Sequence, residues 1–171
     1  ARLLFSWGNA AMAVELCEDL WVAIPPSSHH VLHGANVIVN LSASDELVGK
    51  HHYLRQLIAQ QSARTVSAYL YASSGLGESS TDVVFGGNGI IAENGILLAE
   101  SQRFSDTAQL TVTEIDVERL MCERRMNTGF SACDTTDAPY RSIPVTMASP
   151  HLKQTSPTTD HHPTNPTTHH I

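Results

Sequence analysis

Short apolar, often β-branched runs alternate along this chain with segments of helical periodicity, and this order constrains the fold more than any other feature. Strands are predicted in "MAVEL", "NVIVNL" and "TVSAYLYA". A helix is predicted from His51 to about Arg64, because Leu54, Leu57 and Ile58 stand at i, i+3 and i+4. Strands alternating with helices are typical of a layered α/β fold, and we expect one here.

Two further elements carry turn signals. Ser27 or Ser28 is expected to cap a short helix through "HHVLH", and Gly34 is expected to end that helix. The apolar runs on either side of Asn94 and Gly95 predict a β-hairpin, since this pair favours a tight type I′ turn.

The pattern weakens after the hairpin. "AQLTVTEID" alternates apolar with polar residues and predicts one more strand. Asp116 is then expected to cap a helix with Val117, Leu120 and Met121 on its apolar side. After about Asn127 no clear period remains.

Composition divides the 171 residues into one domain and a tail. The hydrophobic fraction of 42% is sufficient for a real core, and we assign residues 1–145 to a single domain. Residues 146–171 are rich in Thr, Pro and His and almost without apolar side chains. Such a segment cannot offset its own ordering entropy, so disorder is predicted for this tail.

Charge and cysteine content exclude several classes of protein. The formal net charge is −7 and no block of Lys or Arg is present, which argues against nucleic-acid binding. No apolar run approaches the roughly 20 residues of a membrane helix, so no membrane contact is expected. Cys17, Cys122 and Cys133 are widely spaced and form no CxxC pair. Neither a metal site nor a disulfide framework is predicted, and a reducing, cytoplasmic setting fits best.

Cys17 is the residue of greatest chemical interest. It ends a predicted strand, the place where α/β folds carry reactive groups. Glu15, Glu18 and Asp19 crowd it, and nearby negative charge disfavours a thiolate. Cys17 is therefore either an inert buried thiol or a site that needs a cation from elsewhere in the chain.

Several motifs resemble one family in the same order and at similar spacing. "VELCEDLWVAIPPS", "ANVIVNLSASDELVGK", the region from "QSARTVSAYLYA" to "LLAESQRF" and "EIDVERLMCERRMNTGF" resemble the glutaminase domain of glutamine-dependent NAD+ synthetases. That domain belongs to the nitrilase, or carbon–nitrogen hydrolase, superfamily. The resemblance implies an α/β fold that is part of a four-layer α-β-β-α sandwich, corresponding to the second half of the domain.

The resemblance also implies roles for individual residues. Cys17 matches the nucleophile, which would attack the side-chain amide of glutamine, release ammonia and form a glutamyl thioester. Glu18 and Trp21 match positions that line the substrate pocket, although a solvated loop acid and a core anchor are the plainer interpretations. Ser44 matches a substrate-contacting position, and Lys50 a basic position near the α-carboxylate, although it could be an ordinary surface lysine.

The family's function would be glutamine hydrolysis that feeds ammonia to the amidation of deamido-NAD+. The glutaminase step needs no cofactor, whereas the family's synthetase domain uses ATP and Mg2+. The expected partners are glutamine, that synthetase domain and further copies of the chain.

The family's general-base glutamate and catalytic lysine lie upstream of the cysteine motif and cannot be assigned here. We therefore expect a fragment that is inactive alone. The alternatives are another nitrilase-type amidase and a catalytically incomplete chain that acts only by association.

Overall fold

The computed structural model describes residues 2–79, 81–133 and 139–146, and its core is one seven-stranded sheet. The strands run in the spatial order β6-β5-β4-β3-β2-β1-β7. Their bounds are β1 Leu3–Trp7, β2 Ala10–Leu16, β3 Val37–Ser42, β4 Ala68–Ser73, β5 Gly89–Glu93, β6 Ile96–Glu100 and β7 Arg141–Pro144. The neighbours β2, β3 and β4 are parallel, as are β1 and β7, whereas β1–β2, β4–β5 and β5–β6 are antiparallel. The predicted α/β class is confirmed.

The helices are α1 Pro26–Leu32, α2 Lys50–Thr65, α3 Val117–Met126 and α4 Thr128–Ser131. Both α1 and α2 cover the sheet face that carries Ile38 and Tyr69, which belong to the larger apolar cluster. Neighbouring strand residues point to opposite faces. Val37 and Ala68 therefore face the other side, where they pack with Leu120 of α3.

Several predicted elements are confirmed with small changes of boundary. The hairpin of β5 and β6 turns at Asn94 and Gly95, both of which have positive φ angles of 45° and 90°. The side chain of Asp116 caps α3 by accepting a hydrogen bond from the backbone N–H of Arg119 at 2.8 Å. Gly34, with φ of 106°, follows the end of α1 as expected.

Two predictions of local structure are wrong. Residues 108–116 form no strand, because this extended segment has no ladder partner within the described part of the chain. The cap of α1 is not a serine: Pro25 occupies that position, and Pro26 begins the helix with a φ already suited to it. Ser27 lies inside the helix instead, and its hydroxyl accepts a hydrogen bond from Gln61.

The sequence patterns did not predict β1, α4 or β7. The predicted disordered tail, 146–171, lies outside the described residues except for Thr146.

Candidate active site

Cys17 occupies a strained turn at the carboxyl end of β2. Its φ is +44°, in the left-handed region that non-glycine residues seldom adopt, and it begins a short 3-10 turn, Cys17–Leu20. The thiol is half-buried. Strained residues of this kind persist only where their surroundings hold them, and they cluster at functional sites. The turn thus presents a cysteine at the carboxyl ends of the parallel strands β2, β3 and β4, where binding sites of α/β proteins lie.

The acids around Cys17 are mostly committed to structural hydrogen bonds. Glu15 is buried, and its carboxylate accepts hydrogen bonds from the backbone N–H of Ser27 at 2.8 Å and from the hydroxyl of Tyr69. Asp19 accepts from the backbone N–H of Leu16 at 2.8 Å. Glu18 alone of the three is exposed. Two of the three acids therefore have structural hydrogen-bond partners, and only the carboxylate of Glu18 is open to solvent.

Lys50 begins α2 and is held next to an acid and an aromatic ring. Its Nζ lies 2.6 Å from Oδ1 of Asp45 and 2.8 Å from the backbone oxygen of Asp45. The same Nζ lies 5.2 Å from the ring centroid of Trp21, within range of a cation–π contact. The hydrogen bond from Lys50 and then its charge lower the pKa of Asp45.

Trp21 links Lys50 to the cysteine turn. Its backbone N–H donates to the carbonyl of Glu18 at 2.8 Å. Its ring packs against the ring of Tyr53 on α2, with 5.6 Å between the two ring centroids. The turn therefore connects three further predicted site residues, Glu18, Trp21 and Lys50. Ser44 lies in the β3–α2 loop, half-buried, and makes no hydrogen bond to any described residue.

The sequence patterns missed two polar groups near the cysteine. Asn40, fully buried on β3, donates its side-chain amide to the carbonyl of Cys17 at 3.5 Å. Tyr71 is buried on β4, and its pKa is raised, mainly by that burial and in smaller part by the charge of Cys17. The available signal was their position: polar residues in apolar runs, on alternate positions that face the helices.

The described residues contain no group of three or more His, Cys, Asp or Glu able to hold a metal ion. In the same part of the chain, no helix is both long and apolar enough to cross a membrane. Cys122, on α3, and Cys133, after α4, are exposed.

Comparison with known proteins identifies relatives but no matching family model. The chain is 47% identical over 116 residues to the glutamine-dependent NAD(+) synthetase of Mycobacterium bovis, a match that covers 67% of this chain. The corresponding protein of Drosophila melanogaster is 33% identical over 117 residues and 68% of this chain. The chain spans only 17% and 15% of the lengths of these two relatives.

Solved structures give the same assignment. A glutamine-dependent NAD(+) synthetase from Cytophaga hutchinsonii matches with a TM-score of 0.51 and 28% identity, covering 60% of this chain and 16% of that one. A carbon–nitrogen hydrolase from Helicobacter pylori matches with a TM-score of 0.58 at 18% identity, covering 71% and 45%. The second likeness shows the fold alone. The fold is thus a partial nitrilase-type fold, as the sequence motifs imply.

Proposed function

Because this chain belongs to the family of glutamine-dependent NAD+ synthetases and covers part of their nitrilase-type domain, we propose that it carries the cysteine nucleophile that releases ammonia from glutamine. The observation that carries this proposal is the strained, half-buried turn of Cys17 at the carboxyl end of β2, beside the parallel strand β3.

The proposed reaction has two steps. The thiolate of Cys17 attacks the side-chain amide carbon of glutamine, the C–N bond breaks, and a proton joins the nitrogen so that ammonia leaves. Water then hydrolyses the glutamyl thioester, which regenerates the thiol and yields glutamate. Activation of the thiol requires a base and a cation, yet within the described residues Cys17 Sγ makes no hydrogen bond.

We infer the substrate-binding roles from the motif of Cys17 and from the motif "ANVIVNLSASDELVGK". Lys50 would bind the α-carboxylate of glutamine by a charge-assisted hydrogen bond, and Trp21 would form an apolar wall beside it. Glu18 and Ser44 would line the pocket with an exposed carboxylate and a free hydroxyl. The contact between Lys50 and Trp21 supports this set, since it brings a cation and an aromatic ring to the cysteine turn.

The wider context of the reaction is also a proposal. The released ammonia would pass to a synthetase domain that uses ATP and Mg2+ to amidate deamido-NAD+, while the glutaminase step itself would need no cofactor. Glutamine, the synthetase domain and further copies of the chain are the proposed partners. The three free thiols in the described part of the chain support a reducing, cytoplasmic setting.

Covalent labelling tests the nucleophile. The sample is the native protein assembly that contains this chain. It is treated with a diazo-ketone analogue of glutamine and digested for mass spectrometry. We expect Cys17 to be labelled and the exposed thiols of Cys122 and Cys133 to be spared, with protection by added glutamine. A Cys17→Ala variant is the control. Equal labelling of all three cysteines would overturn the assignment.

Ammonia release by the 171-residue chain expressed alone tests whether these residues suffice. We expect no enzyme-like turnover, because no described residue forms a hydrogen bond with Cys17 Sγ and catalytic groups that act as a unit lose most of the rate together. Robust turnover that disappears in Cys17→Ala would show that a residue of this chain supplies the activation. Turnover of other amides but not glutamine in the native protein would favour a different nitrilase-type amidase.

A further inference from the structure

A row of polar side chains crosses the helix-covered face of the sheet just below the cysteine turn. Glu15 on β2 and Asn40 on β3 are register partners. Tyr69 lies on β4, two residues before Tyr71, the register partner of Asn40. Their exposed fractions are 1%, 0% and 0%. Buried polar groups are costly unless they are hydrogen-bonded to one another.

These three side chains form a continuous chain of hydrogen bonds that ends at the cysteine. Tyr69 donates its hydroxyl proton to the carboxylate of Glu15. The side-chain amide of Asn40 donates to the Tyr69 hydroxyl at 3.1 Å and to the backbone carbonyl of Cys17 at 3.5 Å. Glu15 is anchored in turn by the backbone N–H of Ser27 on α1, at 2.8 Å.

The protonation state of Tyr69 decides which group donates and which accepts in each of these hydrogen bonds. Burial, and then the charge of Glu15, raise the pKa of Tyr69 far above its ordinary value. The phenol therefore stays protonated and always donates to Glu15. Its oxygen is left to accept from Asn40, which orients the amide and aims its second N–H toward Cys17.

The turn needs such support. The φ of +44° at Cys17 is unfavourable for a residue with a side chain, so an external contact must hold the following peptide in place. The bond to the Cys17 carbonyl does this directly, since it fixes the peptide that joins Cys17 to Glu18. Fixing that peptide also fixes the direction of the Cys17 side chain.

We propose that Asn40, held by Tyr69 and Glu15, is a positioning residue that keeps Cys17 in its strained turn. The claim about the turn stands on the hydrogen bonds alone, and its consequence for catalysis rests on the proposed function of Cys17. Asn40 acts through the backbone of the nucleophile and touches no reacting atom.

Hydrogen exchange of the full 171-residue chain tests the turn without any assumption about catalysis. The reporter is the amide of Trp21, which closes the turn on the carbonyl of Glu18. We expect Tyr69→Phe and Asn40→Leu to speed exchange of this amide roughly tenfold beyond any change in global stability, because each removes two hydrogen bonds of the chain and leaves their buried partners unpaired. Unchanged exchange at Trp21 in both variants would overturn the proposal.

Asn36→Leu is the matched control. Asn36 is equally buried but lies before β3, where its amide bonds to the backbone of Asn9 and Ala11 at 2.8 and 2.9 Å. We expect this variant to lower global stability, while the Trp21 amide exchanges no faster than that loss of stability explains. A tenfold change at Trp21 in Asn36→Leu as well would mean that any buried asparagine has this effect, and the proposal would fall.

A second readout separates positioning from the proposed chemistry. In the native protein, we expect Tyr69→Phe to slow diazo-ketone labelling of Cys17 roughly tenfold, while iodoacetamide, which needs no bound orientation, labels Cys17 no more slowly. If wild-type Cys17 resists the diazo-ketone, the proposed function fails and the exchange result still decides the turn. If Tyr69→Phe slows neither reagent, the positioning role fails and the function stands.

Discussion

Lys50 holds its positive charge between a carboxylate and an indole ring. The Asp45 oxygen lies 2.6 Å from the ammonium and the Trp21 ring centroid 5.2 Å from it, and the lysine side chain is 21% exposed. The charge is thus compensated before any ligand binds. A substrate carboxylate would have to share the three N–H donors of Lys50 with Asp45, which is possible because an ammonium donates in three directions.

Removing the charge of Lys50 should affect binding more than chemistry. We expect Lys50→Ala in the native protein to raise KM for glutamine by roughly 10- to 100-fold with little change in kcat, since under the proposed role Lys50 would hold the α-carboxylate alike in ground and transition states. Steady-state kinetics of ammonia release measure this. Arg55→Ala, on the same helix but paired with Glu100, is the control. A collapse of kcat at unchanged KM would place Lys50 in the chemistry instead.

The same pairing predicts a titration shift. Asp45 has a pKa below its ordinary value of 3.8, first through the hydrogen bond from Lys50 and then through its charge. The stabilisation is therefore present above pH 3.8 and is lost as the pH falls through the lower pKa of the folded state. We expect Lys50→Met to raise the Asp45 pKa toward 3.8 in a carboxyl-carbon NMR titration. Arg55→Met should leave it unchanged; an identical Asp45 titration in Lys50→Met would contradict the ion pair.

At the residue scale, the sequence motifs predict Cys17 and Lys50 as site residues, each within its own motif, but not the groups that hold them. The hydroxyl that binds Glu15 comes from Tyr69, 54 residues further along the chain. Such a pair becomes visible only once β2, β3 and β4 are placed side by side. The hydrogen-bond partners of Glu15 and Asp19 escaped prediction for the same reason, because sequence proximity does not show where a carboxylate points.

At the scale of elements, the β5–β6 hairpin combines a local turn signal with a tertiary contact at the same residue. Gly95 has a φ of +90°, which only glycine adopts without cost, and a Cβ added there would lie 3.0 Å from the Cβ of Ala63 on α2. The turn therefore both closes the hairpin and packs against the helix.

Replacing Gly95 should show these two costs separately. We expect Gly95→Ala to lower the free energy of unfolding by about 1–2 kcal/mol from the backbone strain, with a further loss from the contact with Ala63. Gly8→Ala is the matched control, since φ there is +52° and nothing lies within 4 Å. Denaturant unfolding should give Gly95→Ala a lower free energy of unfolding than Gly8→Ala, and Ala63→Gly should cost less stability in the Gly95→Ala background than in the wild type, which is its form of recovery. Equal losses without recovery would rule out the contact.

Local signals explain which elements the sequence predicts correctly. Asn94-Gly95 and Asp116 act within a few residues, through a turn angle and a cap, and both are confirmed. Residues 108–116 have the alternation of a strand, yet a strand also needs a neighbour, and that depends on the whole sheet. The two short terminal strands, β1 and β7, escaped prediction because each is defined by pairing more than by pattern.

At the scale of the whole molecule, the two faces of the sheet are unequally covered. One face is closed by α1 and α2, whereas Val39, Leu70 and Ile91 on the other face remain half-buried and line an open cleft of about 340 Å³. The sheet also joins distant parts of the chain, because β7 pairs with β1 in parallel. Next to that junction, Tyr140 stacks on the ring of His33 at 4.2 Å between centroids.

His30 should make the stability of this junction sensitive to acid. It is 4% exposed on α1, and its Nδ1 lies 2.8 Å from the hydroxyl of Tyr140. Burial lowers the pKa of His30 below its ordinary value of 6.5. Between the folded-state pKa and 6.5, the unfolded chain binds more protons than the folded one, so stability rises with pH and falls on acidification. For a single proton the slope cannot exceed about 1.4 kcal/mol per pH unit.

Chemical denaturation across pH 4.5–7.5 measures this effect. We expect the free energy of unfolding of the wild-type chain to fall as the pH drops below about 6.5, and His30→Gln to flatten this dependence because glutamine keeps a polar group without titrating. His52→Gln, at an exposed position of α2, is the control and should follow the wild-type curve. If His30→Gln and the wild type lose stability in parallel on acidification, His30 is not the group that titrates. The acid sensitivity would then have to come from another group, and the link between α1 and Tyr140 would contribute only a hydrogen bond that is independent of pH.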